Sequence, residues 1–228
     1  MADYKDPVPR IKRWEGGIGG DPRDNASSYP SPCGIDPEWG TPYHTNKGVT
    51  WGTYVNFDPT PTCSEWTTMS DDLWGRIFKQ RFWDKIGGDQ IKNQAIANAY
   101  VNWIFMSGPG NANPLMQRML RDRYNYPFEQ TNTITKRVEI LNYLTKKDVK
   151  KLFEDMYAVR TAYFQSLSGC PTYCRGWLRR LNEEKVADTK YLYIDVQFDN
   201  VNYTSAILLS LIGLAFFLIL YYFRYLNK

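Results

Sequence analysis

The sequence predicts a mainly α-helical domain with a long N-terminal loop region, plus one C-terminal transmembrane helix. Between Ser70 and Glu184, apolar residues recur at helical spacing. Residues 18–64 are instead dense in Gly, Pro, Asn, Ser and Thr, with little periodic pattern. The stretch YTSAILLSLIGLAFFLILYYF at 203–223 carries no charge, although mean hydropathy over the chain is −0.51. The 228 residues suffice for one well-buried domain and little more. A content of 43% hydrophobic, 23% charged and 16% aromatic residues is that of a folded protein. The net charge of +4 is spread along the chain without a Lys/Arg-dense run, so no nucleic-acid partner is expected.

RIKRWE at 10–15 reads as a short helix stopped by Gly16-Gly17. A helix follows the N-cap residue Ser70, with Leu73, Trp74, Ile77, Phe78, Phe82 and Trp83 at core spacing. A second runs from Asn93 to Met106 and stops before Ser107-Gly108-Pro109-Gly110. A third is expected to open with Asn113 as cap and Pro114 in its first turn. Thr145 with Asp148 resembles a capping box ahead of the longest soluble helix, through Leu152, Phe153, Met156, Tyr157, Phe164 and Leu167. A last helix covers Cys174 to Glu184, with Trp177, Leu178 and Leu181 inward. In KYLYIDVQFDNV, residues 191–199 alternate apolar and polar as a strand would, and that strand must pair with the domain or with a partner chain.

The apolar run at 203–223 gives a tail-anchor layout, because residues 1–17 hold no apolar core of a signal peptide. Arg224 and Lys228 after the span favour a cytoplasmic tail, which puts the domain outside the cytoplasm. Four cysteines allow three pairings. Cys33 with Cys63 and Cys170 with Cys174 is the natural local choice and suits an oxidising exterior; unpaired thiols are the alternative. A four-thiolate zinc site lacks the paired CxxC spacing it needs, and His44 is the only histidine, so neither metal nor cofactor is expected.

The sharpest local signal is Trp14-Glu15-Gly16-Gly17, followed by Asp21-Pro22-Arg23-Asp24 and then Thr45-Asn46-Lys47-Gly48-Val49-Thr50. At the end of a helix and beside aromatic residues, the Glu15 carboxylate is disfavoured, so its proton is held to higher pH. A carboxyl protonated near neutrality is what protonates a glycosidic leaving oxygen. Asp24 is the candidate second carboxylate and Thr50 a hydroxyl that helps hold water. A solvated surface acid before a glycine turn is the alternative reading of Glu15. Trp51, Tyr43, Asn46 and Asn102 are the candidate substrate contacts; Trp39 and Trp66 are weaker candidates for stacking on sugar rings.

WEGG, the DPxD element and GVT together resemble glycoside hydrolase family 108, the phage and bacterial N-acetylmuramidases with a lysozyme-like helical fold. The resemblance extends through IFKQRFWDKIGGDQI at 77–91, the Ser107–Gly110 turn, MQRML at 116–120, RTAYFQSL at 160–167 and RGWLRRLNE at 175–183. It implies that Glu15 is the catalytic acid. It also implies a lysozyme-like catalytic region at 1–110 and a helical peptidoglycan-binding-like region at 111–185 packed on it. Residues 186–202 then form a juxtamembrane stalk, 203–223 the span and 224–228 a short tail. The chain departs from the family pattern in an insertion from Asn25 to His44. It departs again at 101–108, where VNWIFMSG replaces FDxAVNxG, and at 129–133, where EQTNT replaces a glycine-rich turn.

The resulting expectation is a membrane-anchored peptidoglycan hydrolase that cleaves the β-1,4 bond between N-acetylmuramic acid and N-acetylglucosamine. Lytic transglycosylase chemistry is a sub-variant. Its place would be a virion membrane or a host inner membrane facing the cell wall, for local wall opening in phage penetration or lysis. The lipid bilayer would be met through 203–223, and virion or membrane-complex proteins through 191–199. The rival is an inactive lysozyme-like protein that docks such a complex to peptidoglycan.

Overall fold

The computed structural model describes residues 1–193. Its organising element is α5 (Gln94–Ser107), capped by Asn93, whose Oδ1 accepts from Ile96 N at 3.3 Å. Ala95 through Ile104 are all buried, as befits a helix with core on every side. Around it pack α6 (Pro109–Tyr124), α7 (Ile134–Ser166), α8 (Cys170–Asp188) and the π-type turn Lys79–Trp83 that extends α4 (Asp71–Phe78). Ser70 caps α4 as expected, and Trp74, Phe78, Phe82 and Trp83 are all buried. Trp74 stacks on Phe78 with centroids 5.1 Å apart, and Phe105 of α5 meets Phe82 at 4.8 Å. Gly88 ends that region under the Trp83 indole, where a Cβ would stand 2.5 Å from ring atoms.

The N-terminal quarter is more structured than its composition suggests. After α1 (Val8–Trp14), a three-stranded antiparallel sheet forms from β1 (Ile18–Gly19), β2 (Thr45–Asn46) and β3 (Val49–Thr50). Ile18 pairs with Asn46, and Thr45 with Thr50. The β2–β3 turn is Lys47-Gly48, with φ of 49° and 74°, the paired left-handed geometry that twists tight hairpins correctly. Two short helices, α2 (Trp51–Val55) and α3 (Cys63–Thr67), follow. The Asn25–His44 insertion is tied back onto the sheet: the buried Asp36 carboxylate accepts from Gly20 N at 2.6 Å, and Thr41 Oγ1 donates to Gly20 O. Both expected disulfides are present, Cys33–Cys63 pinning the insertion to α3 and Cys170–Cys174 spanning the first turn of α8.

Several boundaries differ from expectation for local reasons. α1 ends because Glu15 turns extended, with φ −86° and ψ 129°, and not through a left-handed glycine. α6 opens at Pro109 behind Gly108, so Pro114 lies inside the helix; Asn113, instead of capping, accepts from Tyr100 OH at 2.6 Å. α7 includes 134–147, well ahead of the start expected at Thr145. It breaks at Asp148, whose φ of −163° is non-helical and whose Oδ1 accepts from Lys151 N at 2.8 Å. Asp148 is therefore itself the cap, while Thr145 Oγ1 donates back to Leu141 O at 2.7 Å.

The C-terminal expectations need correction. Among the described residues no helix is long and apolar enough to cross a membrane, since α7 and α8 carry charges throughout. The proposed span 203–223 lies outside those residues. The fold is a mainly helical domain with a small antiparallel sheet. A spanning helix, and with it a single-pass location in a virion or host inner membrane, has no support in it. The strand expected at 191–199 begins instead as a 3-10 turn over Thr189–Leu192: Leu192 is buried and Tyr191 O accepts from Asn93 Nδ2 at 3.0 Å. Residues 194–199 lie outside the described region.

Candidate active site

The local geometry follows from the order helix, double glycine, strand. Because α1 ends at Trp14, Glu15 sits where the chain leaves the helix, and Gly16-Gly17 carry it into β1. Lys47 N donates to Gly17 O at 3.2 Å, which lays the hairpin turn over this junction. The turn is fixed from the other side: Trp74 Nε1 donates to Lys47 O at 2.9 Å, and Lys47 Nζ donates to Met69 O at 2.6 Å. Gly48 consequently lies against the Glu15 carboxyl. A Cβ there would fall onto Oε2, 2.7 Å from Glu15 Cδ and 2.9 Å from Phe105 Cζ, and φ of 74° independently favours glycine.

Glu15 is thus covered by backbone on one side and by an aromatic wall, and its side chain is only 14% exposed. Its Oε1 accepts from Arg180 Nη1 of α8 at 2.6 Å. Burial raises its pKa above the ordinary carboxyl value; Arg180 opposes this, and the negative charges of Glu184 and Asp24 reinforce it. The expectation of a raised Glu15 pKa therefore rests chiefly on desolvation.

Arg180 is not Glu15's alone. Its Nε donates to Glu184 Oε1 at 2.9 Å, and Glu184 Oε2 accepts from Arg160 Nη2 of α7 at 3.1 Å. Arg160 and Glu184 are at most 1% exposed. Charges alternate along this buried row: Glu15, Arg180, Glu184, Arg160. Further along α8, Asp188 accepts from Arg10 of α1 at 2.6 Å and from Asn98 of α5 at 2.7 Å. Burial pushes the Asp188 carboxyl up to about 7 despite Arg10.

Asp24 reaches Glu15 electrostatically and is half-exposed; its Oδ1 accepts from Ala26 N at 2.9 Å, and its Oδ2 lies 3.7 Å from Nε2 of the buried His44. Thr50 caps α2, with Oγ1 accepting from Thr53 N at 3.1 Å. Trp51 and Tyr43 are half-buried, Trp51 meeting Trp66 edge-on at 5.5 Å and Tyr43 packing on Gly34. Asn46 is buried, and its amide donates to Trp66 O at 2.5 Å and Thr67 O at 3.1 Å, so it ties the hairpin to α3. Asn102 is fully buried in α5, and neither amide atom has a hydrogen-bond partner among the described residues. Trp66 is core, while Trp39 is 37% exposed with the Arg23 guanidinium 4.5 Å above its ring. No group of three or more His, Cys, Asp or Glu among the described residues is placed to hold a metal ion.

Sequence reasoning missed Arg180 and Glu184. A signal existed: they share a face with Trp177 and Leu181, whereas the similar pair Arg179–Glu183 lies outward at 3.1 Å.

The helical body carries a small sheet at one end, with a desolvated carboxyl where the sheet meets the first helix. Residues 8–108 match the family model of glycosyl hydrolase 108. That match takes in Glu15, the sheet and α5, and stops before α8, so Arg180 and Glu184 lie beyond it. The structure of Brucella abortus SagA superposes with a TM-score of 0.62 at 18% sequence identity, covering 83% of this chain and 95% of that one. At that identity the likeness is one of fold. No curated protein matches the chain in sequence.

Proposed function

We propose that this protein is a peptidoglycan hydrolase that cleaves the β-1,4 bond between N-acetylmuramic acid and N-acetylglucosamine, with Glu15 as general acid. The observation that carries the reading is the Glu15 carboxyl itself: desolvated under Gly48 and Phe105, raised in pKa, and inside the segment matched by glycosyl hydrolase 108. In this role Glu15 donates its proton to the leaving glycosidic oxygen, so that the bond breaks without expelling an alkoxide. Asp24 is the second carboxylate, which steadies the positive charge that grows on the sugar ring or draws a proton from the attacking water. Thr50 contributes by fixing the start of α2, since its hydroxyl is already engaged there. Trp51 and Tyr43 serve as the aromatic rim, residues 1–110 as the catalytic region and 111–185 as a helical binding region packed on it.

The test is digestion of purified sacculi with the full chain, followed by mass spectrometry of the soluble products. New reducing ends on N-acetylmuramic acid support hydrolysis by a muramidase. Anhydro-muramic ends point to a transglycosylase, and release of no muropeptides overturns catalysis.

A second reading, binding of peptidoglycan without cleavage, is favoured by one observation: Arg180 donates to Glu15 Oε1 at 2.6 Å, a contact that opposes protonation of the carboxyl. Sedimentation with sacculi and no soluble product would support it.

A further inference from the structure

The row of buried charges behind Glu15 suggests how an arginine and a general acid coexist in contact. An unshared guanidinium at hydrogen-bond distance holds a carboxyl ionised, which would disable the acid. We propose that Glu184 is a positioning residue for Glu15, acting through Arg180: it takes up part of the Arg180 charge, leaving the arginine to orient Glu15 without holding it ionised. The inference rests on the reading of Glu15 as general acid.

Three geometric facts carry it. Arg180 is shared, with Nη1 on Glu15 at 2.6 Å and Nε on Glu184 at 2.9 Å. Glu184 is 1% exposed, so water does not screen its charge from its neighbours. And Glu184 is held in turn by Arg160 at 3.1 Å, which fixes its side chain. The charged groups facing Glu15 are few. From α8 they are Arg180 and Glu184, and from the loop before the 3-10 turn at 25–28, Asp24. The hairpin contributes backbone at Gly48, with the Lys47 ammonium turned to Met69 O, and α5 contributes the uncharged Phe105. Among the described residues the cation paired with Glu15 is therefore Arg180, and Glu184 competes for it. The direction of the Glu15 shift, upward despite Arg180 and with Glu184 among its causes, agrees.

The test is Glu184→Gln in the full chain, with activity on sacculi measured across pH. A general acid loses activity as pH rises through its pKa. With Glu184 neutral, Arg180 falls wholly to Glu15, and the alkaline limb is expected to move down by about one pH unit. A merely structural role for Glu184 lowers the rate at every pH and leaves the limb where it was. Because Glu184→Gln leaves Arg160 unpaired in the core, Glu184→Gln/Arg160→Gln is the second variant. It removes one buried charge of each sign, yet still leaves Arg180 to Glu15. The same downward movement in both variants supports the proposal; a limb that stays put or moves up overturns it. Titration of the Glu15 carboxyl by 13C NMR, assigned against Glu15→Gln, reads the same shift without activity. Should Glu15→Gln digest murein normally, the functional reading falls, while the NMR shift still decides whether Glu184 governs Glu15.

Discussion

Gly48, at the tip of a two-residue hairpin, forms one wall of the space that holds the Glu15 carboxyl. The two residues are 33 positions apart in sequence, and their contact is made by the pairing of β1 with β2 and of β2 with β3. The GVT tripeptide is thus linked to WEGG by direct contact: its glycine is the only residue type that lets the turn lie on the acid. Gly48→Ala should act twice. A Cβ at φ 74° costs about 1–2 kcal/mol, and the same atom displaces Glu15 or Phe105. A displacement near 1 Å is expected to lower the rate on murein by about 100-fold while the melting temperature falls by only a few degrees. Full activity with an unchanged melting temperature would show that the turn does not confine the acid.

A pH dependence of stability follows from Asp188. Its carboxyl has an ordinary value of 3.8 and is pushed up to about 7 by burial. The folded state therefore binds this proton more tightly than the unfolded chain does. The stabilisation is complete below about pH 4 and is lost as pH rises through 7, in total of the order of 4 kcal/mol at most. Asp188→Asn keeps a hydrogen-bonding side chain opposite Asn98 and removes the titration, while Arg10 retains Asp6 at 3.0 Å. Calorimetry from pH 4 to 8 should give the variant a flatter melting-temperature profile than the wild type; parallel profiles would contradict the assignment.

The two disulfides differ in what they constrain. Cys33–Cys63 closes a separation of 30 residues and Cys170–Cys174 one of 4. On the chain-entropy account the first is worth about 3–4 kcal/mol and the second clearly less. Urea unfolding of Cys33→Ser/Cys63→Ser and of Cys170→Ser/Cys174→Ser should show that order. In the first variant, proteolysis should begin in the Asn25–His44 insertion. A reversed order would mean that native packing, not loop closure, sets the effect.

Asp24 is predicted to matter through its charge. Asp24→Asn retains an oxygen that can cap Ala26 N, so the fold should persist, but the charge near Glu15 is lost. Murein digestion should drop by at least about 10-fold with little change in melting temperature. Unaltered digestion would remove Asp24 from the reaction and send the search for the second carboxylate elsewhere.

Much of the helical body was legible because its signals are local. Ser70 and Asn93 cap their helices as their side chains dictate, and the aromatic run from Trp74 to Trp83 is buried as its spacing implies. The end of α1 at Trp14-Glu15 was legible from the double glycine that follows. The elements that escaped depend on distant contacts. Two-residue strands have too few positions to display alternation, so the sheet beside Glu15 leaves no periodic signal in the sequence. Asn46 and Asn102 are candidate substrate contacts in sequence. Only the fold shows the first tied to the carbonyls of Trp66 and Thr67, and the second enclosed by core helices. Arg180 and Glu184 sit next to Arg179 and Glu183 in sequence, and only the fold shows that the first pair faces in and the second out.

The central claim is that the Glu15 proton drives cleavage of the glycan strand. The most direct measurement compares wild type with Glu15→Gln on purified sacculi, with reducing-end release and product masses read at the same pH. The glutamine keeps size and hydrogen bonding to Arg180 but has no proton to donate, so the rate is predicted to fall by about 1,000-fold or more while sacculus binding and melting temperature persist. Muropeptide release by Glu15→Gln at the wild-type rate would contradict the account.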